Sequence, residues 1–151
     1  MAEHHFQLVP VDPRFYPAPD AIDTAQAVVR ALIPSAEEVH ASCRPGIHFF
    51  DAGEGFEEPK CPFCDADTAP WWSDAMSDAW DGTHFNELRI TTPCCGASTS
   101  LDQLRYPNGD RFGSFIIEAA LADPAENPSS EQISQLQSIL GCQLVAYWIT
   151  R

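Results

Sequence analysis

The sequence predicts an α+β fold. The chain has 151 residues, 44% of them hydrophobic, which suits one globular domain with a real core. A strand–helix–strand pattern occurs near the start and again near the end. Between these patterns, over about residues 52–106, the composition shifts to acids, cysteines and tryptophans. We therefore expect a single domain, 1–151, in which 52–106 is an inserted module.

The first pattern contains a strand, a helix and two more strands. They are predicted over residues 5–11, 20–33, 39–43 and 47–50. Alternation of polar and apolar residues indicates the strands, and an apolar stripe at helical spacing indicates the helix. Pro34 ends the helix, and Arg44-Pro45-Gly46 predicts a turn between the last two strands.

The insertion contains one short helix and one strand. Trp72, Met76 and Trp80 recur every four residues with acids between them, which predicts an amphipathic helix. Residues 88–92 then predict a strand that runs directly into the second cysteine turn.

The second pattern starts with a strand over 112–121. Ser129 and Gln132 have the spacing of a capping box and predict the start of a helix that Gly141 ends. Alternating residues over 142–150 predict the last strand. With the insertion set aside, the two patterns predict a split β-α-β sheet of the ferredoxin-like type with two helices.

Four cysteines form two pairs in the insertion. Cys61 and Cys64 lie in KCPFC, and Cys94 and Cys95 lie in TPCCG, each within a turn that contains Pro or Gly. Paired thiolates on two tight turns suit tetrahedral Zn²⁺ and predict a structural zinc site. Because Cys94 and Cys95 are adjacent, the alternative is that one of them is a buried thiol and that His84 or another residue completes the shell. An iron–sulfur cluster or a redox couple would use the same residue type, but the two turns favour zinc.

The chain is strongly acidic. It has 22 aspartates and glutamates against 8 lysines and arginines, a formal net charge of −14. Such a surface repels nucleic acid, whose binding depends on basic groups that neutralise phosphates. The acids are dense between Asp51 and Asp81. That segment is either a solvated face that aids solubility or a surface complementary to a basic partner.

The sequence contains no segment that suggests a membrane or an export route. No stretch approaches about eighteen uncharged apolar residues, the length needed for a membrane span. The opening MAEHHFQLVP lacks the basic start and apolar segment of a signal peptide. We therefore expect no membrane partner and a cytoplasmic location, where thiols stay reduced and serve as metal ligands.

Common catalytic motifs are missing, since the sequence has no HExxH, GxSxG or phosphate-binding glycine loop. Four thiolates would also fill the shell of the metal and leave no open position for water. We therefore expect a protein that is not an enzyme. The alternative is a small enzyme or small-molecule-binding protein that uses a cleft near His48, Asp51 and His84.

The turns KCPFC and TPCCG resemble the metal knuckles of zinc ribbons. The stretches TPCCGASTSLDQLRY, GSFIIEAALADP and LGCQLVAYWITR are similar to a group of small uncharacterised bacterial zinc-ribbon proteins, over about residues 60–150. This resemblance implies a zinc-ribbon-like module and brings no activity with it. Small acidic bacterial proteins of this kind are often toxin-neutralising immunity proteins, which implies a toxin domain as the partner.

The favoured hypothesis is therefore a non-enzymatic, acidic, zinc-binding interaction protein that docks on a basic partner. Acids would steer the encounter and tryptophans would anchor the complex. The expected partner-binding residues are Glu57, Glu58, Trp71, Trp72, Asp74, Asp78 and Trp80.

Overall fold

A computed structural model describes residues 3–51 and 56–150, so the start of the predicted insertion, 52–55, lies outside the described residues. The described part is an α+β fold with three α-helices and two antiparallel sheets. Its elements are β1 (His4–Pro10), α1 (Pro19–Leu32), β2 (Glu38–Phe50), α2 (Trp72–Ala79), β3 (Arg89–Thr91), β4 (Ser98–Ser100), a 3₁₀ turn (Leu101–Gln103), β5 (Arg111–Leu121), α3 (Ser130–Leu140) and β6 (Leu144–Thr150).

The main sheet has the strand order β2-β5-β1-β6. β1 is antiparallel to both of its neighbours, and β2 is antiparallel to β5. β1 and β2 therefore run in the same direction with β5 between them, and β5 and β6 run in the same direction with β1 between them. α1 joins the first of these strand pairs and α3 joins the second.

Both of these helices pack on one face of the main sheet. Inward side chains alternate along β1 and β5, as Phe6, Leu8, Phe115 and Ile117 do. They meet the apolar stripes of the helices, to which Ala25, Val29, Leu136 and Leu140 belong. Strand residues of the opposite parity, including His5, Gln7 and Glu118, belong to the other face.

A second core joins the insertion to the sheet. Its buried members are Ile47, Trp72, Phe85, Leu88, Leu101, Leu104 and Phe112. Phe49 of β2 contacts the rings of Phe56, Trp72, Tyr106 and Phe112, with centroids 5.0–6.2 Å apart. Aromatic pairs at such distances add about 0.5–1.5 kcal/mol each beyond the area they bury. The insertion is therefore packed onto the main sheet through these aromatic rings.

The prediction of two strands over 39–43 and 47–50 is wrong, because β2 is one strand whose register shifts between Cys43 and His48. β5 is long enough to pair with both halves, so the chain bends without leaving the sheet. Gly46 allows the bend: its φ is +87°, and a Cβ there would lie 2.3 Å from the His84 ring. β4 and the 3₁₀ turn were not predicted.

The predicted capping box of α3 is confirmed. The Ser129 hydroxyl accepts a hydrogen bond from the Gln132 amide, and the Gln132 side chain accepts one from the Ser129 amide. Gly141 ends the helix in the left-handed conformation, with φ +79°. Among the described residues, none of the helices has the length and apolar character needed to cross a membrane.

Candidate metal centre

The four cysteines of the insertion converge on one point. Their sulfur atoms all lie within 4.8 Å of one another. The Cys61 and Cys95 sulfurs are 3.8 Å apart, and the Cys64 and Cys94 sulfurs are 3.5 Å apart. A tetrahedron with Zn–S bonds of about 2.3 Å has edges of about 3.8 Å, whereas a disulfide bond is only about 2.05 Å long. The spacing therefore fits a tetrahedral metal, and none of the four cysteines forms a disulfide bond.

The first turn, residues 61–66, is closed by backbone hydrogen bonds. The Asp65 amide donates to the Cys61 carbonyl at 2.9 Å, and the Cys61 amide donates to the Ala66 carbonyl at 2.9 Å. Asp65 has a left-handed φ of +62° that lets the chain reverse. Cys61 is fully buried, while Phe63 at the tip is 62% exposed.

The second turn, residues 92–97, repeats this backbone. The Gly96 amide donates to the Thr92 carbonyl at 2.7 Å, and the Thr92 amide donates to the Ala97 carbonyl at 2.9 Å. Gly96 has φ +71°, at the position that Asp65 has in the first turn. The hexapeptides CPFCDA and TPCCGA therefore align position by position. Thr92 takes the place of Cys61, and Cys94 takes the place of Phe63.

This match explains how the sulfur atoms of two adjacent cysteines reach the same cluster. Cys95 occupies the same turn position as Cys64, and Cys94 comes from the tip position. The buried Thr92 hydroxyl lies 3.2 Å from the Cys95 sulfur and accepts a hydrogen bond from the Ala97 amide at 3.0 Å. Thr92 therefore contacts the Cys95 sulfur from the position where the first turn has the Cys61 thiol. Thr92 was not predicted as a functional residue, although an alignment of the two hexapeptides places it opposite Cys61.

The thiol pKa values differ within the cluster. The backbone N–H of Cys64 is the main cause that lowers the pKa of Cys61 to about 7. The backbone N–H of Ala66 lowers the pKa of Cys64. The contact of the Cys64 thiol with Cys94 and its partial removal from water have the opposite effect and raise this pKa to about 12. A divalent cation bound at the cluster would displace the remaining thiol protons and neutralise the negative charge of the thiolates.

The cysteine turns are tied to the second core. Lys60 exchanges two backbone hydrogen bonds of 2.9 Å with Arg105, whose guanidinium contacts Asp65 at 2.7 Å. The next residue, Tyr106, donates to the Leu101 carbonyl at 2.8 Å and accepts from the Trp72 indole at 3.2 Å. Burial raises the pKa of Tyr106 well above its usual range. The phenol therefore stays a neutral link between the metal turns and α2.

The predicted tryptophans divide between different environments. Trp72 is only 9% exposed and belongs to the second core, so it is not available to contact a partner as predicted. Trp71 is half-buried and lines a groove of about 490 Å³ between α2 and β3, together with Asp74 and Asp78. Trp80 is 42% exposed and lines a different cleft. The exposed residues Glu57 and Glu58 line neither of these two cavities.

The second cleft, of about 510 Å³, lies on the sheet face opposite to α1 and α3. His48 and Asp51 both line it, as the alternative hypothesis expected. Its floor includes the buried Gln7, which donates a hydrogen bond to Glu118. The His48 Nε2 atom is shielded from solvent and has no hydrogen-bond partner among the described residues.

His84 joins neither the metal cluster nor this cleft. Its Nδ1 lies 3.6 Å from Asp81, whose carboxylate also accepts hydrogen bonds from the Thr83 and His84 amides at 2.8 and 2.9 Å. These hydrogen bonds lower the pKa of Asp81 to about 2, and the bond from the His84 amide has the largest effect. His84 therefore belongs to a turn that packs against Gly46.

Comparison of the chain with protein-family models, with curated proteins and with solved structures gives no match.

Proposed function

We propose that the protein is a non-enzymatic interaction domain, organised by Zn²⁺ on Cys61, Cys64, Cys94 and Cys95, that docks on a basic protein partner. One observation carries this proposal. Pro93 of the second cysteine turn lines the same groove as Asp74 and Asp78, so the metal turn forms part of the acidic surface. The metal would hold this surface in shape, and the acids would attract the partner.

Zinc is the metal that the ligand set favours. Four cysteine sulfurs at tetrahedral spacing are typical of closed structural zinc sites. They would also hold iron, so the test is elemental analysis of protein purified without added metal. One zinc per chain, with little iron, is the expected result. Iron in place of zinc, or no metal in reduced protein, would contradict the assignment.

The finer fold assignment is also part of the proposal. The strand order and directions of the main sheet support a ferredoxin-like split β-α-β arrangement. The two matching turns that face each other support a zinc-ribbon-like module between its halves. A cytoplasmic location would suit this module, because reduced thiols are available there as ligands.

Charge and the resemblance to small bacterial zinc-ribbon proteins support the choice of partner. A net charge of −14 favours a basic partner and disfavours nucleic acid. A toxin domain neutralised by an immunity protein is a partner of this kind. We offer it as the most specific form of the proposal.

The partner test uses charge reversal. Wild-type protein and a variant with Glu57, Glu58, Asp74 and Asp78 changed to Lys are used to capture proteins from a lysate, and the captured protein is then purified. We expect the reversal to slow association and to flatten its salt dependence. Equal association rates and salt slopes for the two proteins would overturn electrostatic docking.

A second candidate function rests on the sheet-face cleft. His48 and Asp51 line it together, and a histidine nitrogen shielded from solvent suits a site for a small polar molecule. A thermal-shift screen of small molecules on wild-type protein and His48→Leu tests it. A compound that stabilises only the wild type would support the cleft, and equal responses of both proteins would contradict it.

A further inference from the structure

The groove between α2 and β3 has a charged rim and an apolar wall. We call it the α2 groove: Asp74, Asp78 and Glu87 belong to its rim, and Trp71, Ala75 and Ile90 belong to its wall. Alanines on the groove side of α2 leave space that larger side chains would fill. At about 490 Å³ it has room for one long side chain with part of its backbone.

Two carboxylates of the rim lack a partner. Neither Asp74 nor Asp78 forms a hydrogen bond or ion pair with any described residue. Glu87 differs, because Arg89 holds both of its oxygens at 3.1–3.2 Å. Because Glu87 and Arg89 neutralise each other, the net negative charge of the groove comes from Asp74 and Asp78.

The two aspartates repel each other on the helix, although the first-turn position of Asp74 by itself suits the helix dipole. They are four residues apart on α2, where like charges repel. Asp78 also lies near the C-terminal end, where the helix dipole disfavours a negative charge, and the last turn has no basic residue. A cation bound between the two carboxylates would relieve both effects.

The apolar wall indicates which cation fits. Trp71 is half-buried, and it adjoins Ala75, Ala79 and Ile90 along the groove. An arginine side chain can lay its methylene groups along alanines and stack its planar guanidinium on an indole. The same guanidinium can donate to two carboxylates at once, whereas an ammonium is a compact, more strongly hydrated charge.

We propose that the α2 groove binds an arginine side chain on an exposed segment of a basic protein partner. The inference rests on the proposed function and assigns the contact to Asp74, Asp78 and Trp71. A second copy of this chain fits less well, because its net charge of −14 would oppose close approach.

The test is an NMR titration with a capped Gly-Gly-Arg-Gly-Gly peptide, compared with its lysine and citrulline analogues. The arginine peptide should shift the Trp71 indole N–H and the Ala75 and Ala79 amides in a saturable way. The lysine peptide should bind more weakly, and the neutral citrulline peptide should cause no shift. Equal binding of arginine and citrulline, or shifts elsewhere only, would overturn the proposal.

Matched variants separate the groove from bulk charge. Asp74→Asn with Asp78→Asn should weaken binding about tenfold, since two charged contacts are lost. Asp123→Asn with Glu126→Gln, at two exposed residues outside the groove, changes net charge equally and should leave binding unchanged. Equal weakening by both pairs would show that only bulk charge matters and would overturn the proposal.

Two further variants protect the test against unfolding. Asp78→Asn alone removes a charge that the helix end disfavours, so α2 should remain intact while binding weakens. Ala79→Leu fills the groove without a change of charge or of helix propensity and should block the peptide. Unchanged binding by Ala79→Leu, with an unchanged circular dichroism spectrum, would contradict the groove.

Failure here and failure of the proposed function are distinguishable. A protein that holds zinc and binds a basic partner, yet shows no arginine contact in the α2 groove, overturns only this inference. A protein without zinc that still binds the arginine peptide overturns the role of the metal and leaves the groove intact.

Discussion

The two cysteine turns have one backbone and two different ways to supply sulfur. In each, a carbonyl accepts from the amide four residues on, at 2.9 Å from Asp65 to Cys61 and at 2.7 Å from Gly96 to Thr92. The first turn places its thiols at positions one and four, and the second at positions three and four. The difference teaches that a metal site is defined by where sulfur atoms can meet, and that CxxC spacing is one solution among others.

The largest expected effect comes from the first turn. Cys61 is fully buried, and Cys61→Ser would remove a ligand and leave a hydroxyl in its place. We expect loss of the metal and a fall in the free energy of unfolding of roughly 3 kcal/mol or more. Thermal unfolding of wild type and variant, with and without a chelator, measures this. If the melting temperature of the wild type is the same with and without the chelator, the metal is not structural.

The match between the turns predicts a rescue. Cys94→Ser should lose zinc, because the tip position of the second turn then supplies no sulfur. Adding Thr92→Cys should restore it, because that residue occupies the position of Cys61 in the first turn. Zinc content of the single and double variants, measured together, checks this. If the double variant binds no more zinc than Cys94→Ser, the two turns are not equivalent.

The hydroxyl of Thr92 should have a smaller effect. Thr92→Val keeps the shape of the side chain but removes the group beside the Cys95 sulfur and the acceptor of the Ala97 amide. We expect about tenfold weaker zinc affinity, in the range of lost supporting contacts in metal sites. Competition with a chromogenic chelator measures it. Thr92→Ser retains the hydroxyl and is the control that should bind nearly as wild type does.

The smallest effects concern the left-handed residue of each turn. Gly96→Ala should cost about 1 kcal/mol, because φ is +71° and only the backbone conformation opposes the new Cβ. Asp65→Gly should be nearly neutral, since it relieves similar strain but loses an exposed ion pair worth about 0–1 kcal/mol. Chemical denaturation of both variants tests the pair. A larger cost for Asp65→Gly than for Gly96→Ala would contradict the equivalence.

The sequence predicted the regular elements because their periodic patterns depend on local physics. α1 and α3 were predicted from their apolar stripes and from the residues that start and end helices, and the capping box at Ser129 is present. β2 was predicted as two strands because Pro45-Gly46 is a turn signal, while pairing with the long β5 is a non-local effect. Long-range pairing overrode the local signal.

The candidate site was predicted in the same uneven way. The cysteines were found from residue type and spacing, and all of them converge. The sequence left open whether Trp72 is buried, because helical spacing identifies a face of α2 without saying what covers it. Phe49 and Tyr106 cover it, and they lie more than twenty residues away on either side.

X-ray absorption at the zinc edge tests the central claim most directly, because it counts the ligand atoms on the metal. For reduced wild-type protein we predict four sulfur neighbours at about 2.3 Å and no lighter atom in the shell. Three sulfurs with one nitrogen or oxygen at about 2.0–2.1 Å would contradict it, because one of the four cysteines would then not hold the metal.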